Sequence, residues 1–258
     1  MSRLVPAHFS FNALERKLKG YFAPGGVKYL LMISCKYCKG VCSRAGFQRN
    51  GAQKFHCREC KRYQQASYRS NAWLTDLNMR IAGLLVEGIG LRSMSRVLGI
   101  TLKTVIHRIK LISKSIRKPL SFTMGNVYEM DELWTYIGNK QNDTWLMYVF
   151  ERQSKSVIDF KVGARTKENL KSLVDRVLQM EPTKICTDGL LIYKHLIEEK
   201  VHVTKPMSTR HIERHNLTLR MHLKRLSRKT ICFSKSKEML EACLRIYFWK
   251  GSLGYRNG

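Results

Sequence analysis

The chain has 258 residues, 44% of them hydrophobic, and carries 47 Lys and Arg against 19 Asp and Glu, a formal net charge of +28. That hydrophobic share supports a folded core in one large domain or two to three small ones, and the charge points to a polyanionic partner, nucleic acid first. No apolar run approaches the roughly 20 residues that a spanning helix requires, so no membrane partner is expected and a cytoplasmic, nucleoid-associated setting is.

Residues 1–31 read as a flexible tail. The basic cluster Arg16, Lys17 and Lys19 is followed by a Pro-Gly-Gly turn, and the run from Tyr29 to Ile33 is too short for the apolar centre of a secretion signal. Met32, just before the first cysteine pair, is an alternative start to Met1. Of eight cysteines, Cys35, Cys38, Cys57 and Cys60 form two C-x2-C pairs separated by 18 residues. Two such turns aim four thiolates at one point, the closed tetrahedral shell of structural zinc, so a zinc ribbon is expected over 32–66. A redox dithiol or a chance pairing is the alternative. Phe47 and Phe55 are available to cover the metal site; Cys42 reads as a bystander, and Cys186, Cys232 and Cys243 as small core residues.

Over 72–118 the apolar spacing becomes helical, with Leu77, Ile81, Leu84 and Leu85 three or four apart. A helix to about Glu87, a short one ended by Gly99 and a third from Thr101 make a helix-turn-helix, locked by Leu91, Val97, Ile100 and Val105. Thr101, Lys103, Thr104, His107 and Arg108 fall on or near the outward face, where a second helix enters a DNA major groove. A helical hairpin with a solvated basic face is the alternative.

Arg117-Lys118-Pro119 closes the helical region. Beyond it, 127–137, 145–150 and 157–162 are rich in β-branched and aromatic residues and read as a meander. A helix over 167–179, a strand over 183–187, a helix over 190–199, a brief strand over 201–203 and a long helix over 212–226 follow. This is the element order of a ribonuclease H-like mixed sheet, placed over 125–250, and the whole reads as an α+β multidomain chain. Asp131 falls within the first of these strands, Asp188 just past the fourth, and Glu213 near the start of the long helix. In open sheets, sites gather beyond the strands' carboxyl ends, and hard divalent cations take oxygen ligands. Each acid by itself also fits a solvated surface position.

The runs Met130-Asp131-Glu132-Leu133-Trp134, Thr187-Asp188-Gly189 and Glu213-Arg214-His215-Asn216-Leu217-Thr218-Leu219-Arg220 resemble the catalytic signatures of the insertion sequence 1 family transposases. The likeness extends to the paired cysteines and the helix-turn-helix, and spans about residues 33–240. It implies a DDE transposase with Asp131, Asp188 and Glu213 as the triad. Two magnesium ions, or manganese, would serve cleavage of double-stranded DNA at terminal inverted repeats and transfer to target DNA. Arg220, seven residues after Glu213 and near the same helical azimuth, resembles the basic member that follows the glutamate in this class. A homodimer or higher oligomer on DNA follows from handling two ends together. The family often encodes its two halves in overlapping frames; here they are continuous.

Other residues keep alternative readings. Glu129 shares the Asp131 strand face while Glu132 points the other way, which makes Glu129 a rival or a supporting partner. Asp143 and Asp159 read as surface acids. Residues 205–237 carry ten Lys or Arg against one acid, Glu213, a DNA track that includes Arg214, Arg220 and Lys224. His211 and His215 flank Glu213 and either position water or phosphate or serve structure. Two rival functions fit parts of the pattern: a zinc-ribbon and helix-turn-helix repressor without catalysis, and a ribonuclease H-like nuclease without strand transfer.

Overall fold

A computed structural model describes residues 33–49, 51–66, 70–118 and 124–253; the tail 1–31, the Met32 start and Pro119 lie outside them. The chain divides into two compact units, residues 1–68 and 69–258.

In the first unit, four short strands, β1 (Ile33–Ser34), β2 (Val41–Phe47), β3 (Gln53–Cys57) and β4 (Tyr63–Gln65), form one antiparallel sheet in chain order. Its small core comprises Cys35, Cys42, Phe55 and Cys57. Phe55 does cover the cysteines. Phe47 does not: it follows the β2 register shift, at the strand's end, and is exposed.

The second unit begins with a 3-10 turn, Asn71–Trp73, and three helices, α1 (Leu77–Val86), α2 (Leu91–Leu98) and α3 (Leu102–Ser115). Gly99 ends α2 in the left-handed conformation at φ 61°, which glycine adopts without a Cβ penalty. Thr101 caps α3 by accepting the Thr104 amide at 3.2 Å. The helices lock through Met94, Leu98, Ile100, Val105 and Ile109. Val97 is not among them; it sits beside the Leu91, Met94 and Leu98 stripe and is 68% exposed.

A five-stranded mixed sheet follows, ordered β7-β6-β5-β8-β9. Its strands are β5 (Val127–Tyr136), β6 (Asp143–Glu151), β7 (Ser156–Gly163), β8 (Lys184–Cys186) and β9 (His202–Val203). The first three pair antiparallel, while β8 runs parallel to β5 and β9 parallel to β8. Helix α4 (Lys167–Leu178) buries Leu170, Leu173, Val174 and Val177 with Tyr128, Met130, Met147 and Val149 of the sheet. The opposite face, with Leu133, Leu146, Tyr148 and Phe150, packs with α6 (Arg210–His222) and α7 (Lys237–Trp249), and this core runs on into α1, α2 and α3.

Four further expectations need correction. The helix expected over 190–199 is one turn, α5 (Leu191–Lys194), although Tyr193 and Ile197 of this stretch are buried and Leu190, Ile192 and Leu196 pack against the same core. The long helix expected over 212–226 is α6, ending at His222, followed by a separate 3-10 turn, Lys224–Leu226. Asp159 is a buried acid rather than a surface one, paired with Lys118 and with Arg176 at 3.7 Å. Cys232 is exposed, unlike the buried Cys186 and Cys243.

Candidate functional site

The β5 and β8 register explains how two acids distant in sequence meet. Glu129 lies opposite Cys186 at the last paired position, so two residues further along each chain Asp131 and Asp188 come to the same level, beyond the carboxyl end of β8. With no β8 pairing past Glu129, that edge of β5 is open. Asp131 and Glu132, although on opposite strand faces, both reach Asp188: ligand oxygens of the three lie within 4.8 Å of one another. Asp131 is half-buried and Asp188 exposed.

Asp131 is held on both oxygens. Oδ1 accepts the Glu132 amide at 2.8 Å and Oδ2 the Asn216 side-chain amide at 2.5 Å. Burial, and then the charge of Asp188, raise its carboxyl above the usual range. Glu132 is pushed up to about 7, chiefly by burial; it accepts from the Tyr193 hydroxyl and faces Arg165 at 3.9 Å. Crowded carboxylates of this kind are an all-oxygen donor set, and a hard divalent cation would offset their mutual repulsion.

Glu213 stands in the first turn of α6, exposed and outside that three-acid group. Its Oε1 accepts the Thr209 hydroxyl at 2.6 Å, and its charge reaches Asp131. Asn216, three residues on, ties α6 to Asp131 and accepts the Tyr148 hydroxyl at 2.7 Å. Sequence reasoning assigned Asn216 no role, since an amide has no charge pattern to betray it.

The flanking histidines take structural positions. Nδ1 of His211 donates to Glu129 at 2.7 Å. His215 is packed at a tilt among Tyr148, Phe150 and Phe248, and burial lowers its pKa to about 4. On the outer side of α6, Arg214, Leu217, Thr218, Arg220, Met221 and Lys224 line an open groove of about 550 Å³. Arg220 is partly committed within it, donating to the carbonyl of Leu226 at 2.6 Å and of Trp134 at 3.5 Å.

A second open groove, of about 500 Å³, runs along α3. Thr101, Lys103, Thr104, His107 and Arg108 all line it, together with Ala72, Trp73 and Leu111. Lys103 and His107 are exposed, whereas Arg108 is half-buried and donates to the Ala72 carbonyl at 3.0 Å. Trp73 is 72% exposed at the edge of this groove; its place in the 3-10 turn before α1 gives no periodic signal in the sequence.

In the first unit, the sulfurs of Cys35, Cys38, Cys57 and Cys60 lie within 4.8 Å of one another. Cys35 to Cys60 is 3.5 Å and Cys38 to Cys57 is 3.4 Å. Backbone amides, that of Cys38 first, lower Cys35 to about 6. Cys38 is raised to about 12: the Gly40 amide pulls it down, but the Cys57 sulfur and burial outweigh that pull. Thiolates favoured at one position and opposed at its neighbour form a set that a dication would satisfy. Cys42, pushed up to about 11 by burial, stays outside the group. Among the described residues, no helix is long and apolar enough to cross a membrane.

The family model described as IS1 transposase matches residues 126–252. The insertion element IS1 protein InsB of Shigella flexneri is 40% identical over 119 residues, covering 46% of this chain and 91% of its own length. The IS1 2 protein InsB of Escherichia coli (strain K12) is also 40% identical over 119 residues, 46% of this chain and 71% of its own. Among solved structures, a chain of the simian T-cell lymphotropic virus intasome in complex with PP2A regulatory subunit B56 gamma matches at 16% identity and a TM-score of 0.35, over 60% of this chain and 63% of that one. That likeness is too slight to bear on the fold. The shared region with the InsB proteins covers most of their length, and the chain belongs to the IS1 transposase family.

Proposed function

We propose that the chain is a DDE transposase that binds the terminal inverted repeats of an insertion sequence and performs magnesium-dependent 3′-end cleavage and strand transfer. The observation that carries this reading is the convergence of Asp131 and Asp188 at the open edge of β5, with α6 bringing Asn216 onto Asp131 and Glu213 within reach of its charge. Family membership supports the same assignment. Three antiparallel strands, a helix and a parallel strand on the far side of β5 support a ribonuclease H-like domain over 125–250.

Asp131, Asp188 and Glu213 would hold the metal, with Glu132 beside them. Divalent ions bound there supply Lewis acidity to the scissile phosphate and its attacking and leaving oxygens. The chain's own contribution is positional. Asn216 fixes one Asp131 oxygen, Thr209 orients Glu213, and Arg214 and Arg220 of α6, with Lys224 of the 3-10 turn after it, set a positive rim for the phosphate backbone. Water attacks the phosphodiester at the element's end, breaking its bond to the flanking strand and freeing a 3′ hydroxyl. That hydroxyl then attacks a target phosphodiester in line, so one P–O bond forms as one breaks and no covalent protein intermediate arises.

The α3 groove, through Thr101, Lys103, Thr104, His107 and Arg108, reads the end within a helix-turn-helix domain over 72–118. Cys35, Cys38, Cys57 and Cys60 hold structural zinc in a ribbon over 32–66. Two ends handled together call for a dimer or larger assembly on DNA.

Incubation with labelled end DNA, magnesium and a target plasmid tests the proposal. Strand-transfer product is expected; nicks without joining would indicate a nuclease, and retention without cleavage a repressor. Asp131→Ala should bind end DNA yet neither nick nor join it, and cleavage by that variant would overturn the assignment.

A further inference from the structure

We infer that Glu129 is a positioning residue for strand cleavage, the carboxylate that sets α6 against β5 so that Glu213 and Asn216 face Asp131. The inference rests on the active-site reading above. Glu129 is fully buried, two residues before Asp131 on the same face of β5. A carboxylate so placed is costly unless donors converge on it, and here they do. Oε2 accepts the backbone amides of His211 at 3.1 Å and Ile212 at 2.8 Å, both in the first turn of α6. Oε1 accepts Arg152 Nε at 2.8 Å and His211 Nδ1 at 2.7 Å.

Arg152 carries the connection further. Its Nη2 donates to the Ser208 carbonyl at 2.8 Å, just before α6, and meets the sulfur of Cys186 at 3.6 Å, two residues before Asp188. One buried carboxylate and one arginine therefore join the three segments that bear Asp131, Asp188 and Glu213.

The capping of α6 gives the arrangement its logic. The first amides of a helix lack intrahelical acceptors, and a negative charge there is favoured by the helix dipole. Thr209 occupies the N-cap, yet its side chain makes no capping bond; its hydroxyl goes to Glu213 instead. Glu129 does the capping from the neighbouring strand, which leaves Thr209 free to orient the acid. A glutamine would turn an amide onto some of these donors and leave them without an acceptor.

The test compares full-length wild type, Glu129→Gln and Asp131→Ala for end-DNA binding, melting temperature, single-turnover cleavage per folded molecule, and Mn²⁺ affinity by electron paramagnetic resonance without DNA. Glu129→Gln is expected to keep its end-DNA affinity while cleavage and Mn²⁺ affinity each fall by about 10- to 100-fold. A merely structural role would lower the melting temperature and leave the last two readouts at wild-type values. That result, alongside an inactive Asp131→Ala, would overturn the proposal. Cleavage by Asp131→Ala would instead overturn the active-site reading and remove the ground for this one. Should Glu129→Gln fail to fold, Arg152→Gln, altering a partly exposed member of the same network, is held to the same outcomes.

Discussion

Asn216 and Asp131 are joined across 2.5 Å, side-chain amide to carboxylate, and the orientation of that amide is fixed because its oxygen accepts the Tyr148 hydroxyl from β6. The pair transmits the placement of α6 to the strand acid through one rigid side chain. Asn216→Ala removes the donor and leaves the Tyr148 hydroxyl to its other neighbours, His215 Nδ1 and the Ile212 carbonyl. Single-turnover 3′ cleavage is expected to fall about 10- to 100-fold with end-DNA affinity retained, the loss typical of a group that orients a metal ligand. Wild-type cleavage in this variant would show that the contact has no part in the chemistry.

The four clustered cysteines predict one bound zinc per chain, and the separation of Cys42 from them predicts which thiol is dispensable. Cys57→Ser should abolish stoichiometric zinc in the purified protein, since a structural site holds its ion through all four ligands. Cys42→Ser should retain it. Metal analysis of both variants decides, and zinc loss from Cys42→Ser would mean that the ligand set has been drawn wrongly.

Along α3 the basic residues differ in how free they are. Lys103 is exposed, whereas Arg108 is anchored to the Ala72 carbonyl. Lys103→Ala should weaken end binding and flatten the plot of log affinity against log salt by about one unit, with an unchanged melting temperature. Arg108→Ala should lower the melting temperature as well, because it frees the 3-10 turn that presents Trp73. Equal melting temperatures for the two variants would contradict that distinction.

His215 gives a pH dependence of stability. Its pKa is lowered to about 4 by burial, against about 6.5 in an unfolded chain. The unfolded state therefore binds the proton first as pH falls below 6.5, so the stability this neutral ring contributes is present above that value and is lost on descent toward 4. Between pH 7 and pH 5 the loss is about 2 kcal/mol at most. Denaturant unfolding of wild type and His215→Phe, which keeps the aromatic packing with Phe150 and Phe248, should show the slope in the first and not in the second. An equal slope in both would assign it to other groups.

Patterned features were legible in the sequence and chemically quiet ones were not. The cysteine spacing, the α2 turn at Gly99 and the strand holding Asp131 are each marked by residue type at fixed intervals. Which side of a stripe a residue takes is less well marked, as Val97 shows: it borders the Met94 and Leu98 seam yet faces outward. Strand alternation correctly separated Glu129 from Glu132, but not what each does. Glu132 approaches Asp188 because β8 stops at Cys186 and opens the edge of β5, and Glu129 caps a helix 82 residues away. Neither fact has a local signature. Helix α7 does carry one, with Ser236 capping Met239 and apolar positions every three or four residues, yet no element was expected from the sequence beyond 226, and its value lies in the long-range core it completes.

That core makes a final prediction. Helix α7 packs on β7 at one side and on α1 and α3 at the other, with Lys110 and Glu238 paired at 2.6 Å, so α1, α2 and α3 share their interior with the sheet that bears the acids. Gly88, in the turn between α1 and α2, comes up against the end of α6: a Cβ there would lie 2.4 Å from the His222 carbonyl oxygen, and its φ of +76° already disfavours a side chain. Gly88→Ala must strain this turn or move it off α6, costing about 2 kcal/mol or more. Because one core spans these helices and the sheet, the loss should appear as a lower melting temperature for residues 69–258 as a whole, with tryptophan fluorescence and far-ultraviolet circular dichroism falling together. If the helices melted first while the sheet kept its wild-type transition, the shared core would not couple α1, α2 and α3 to the sheet.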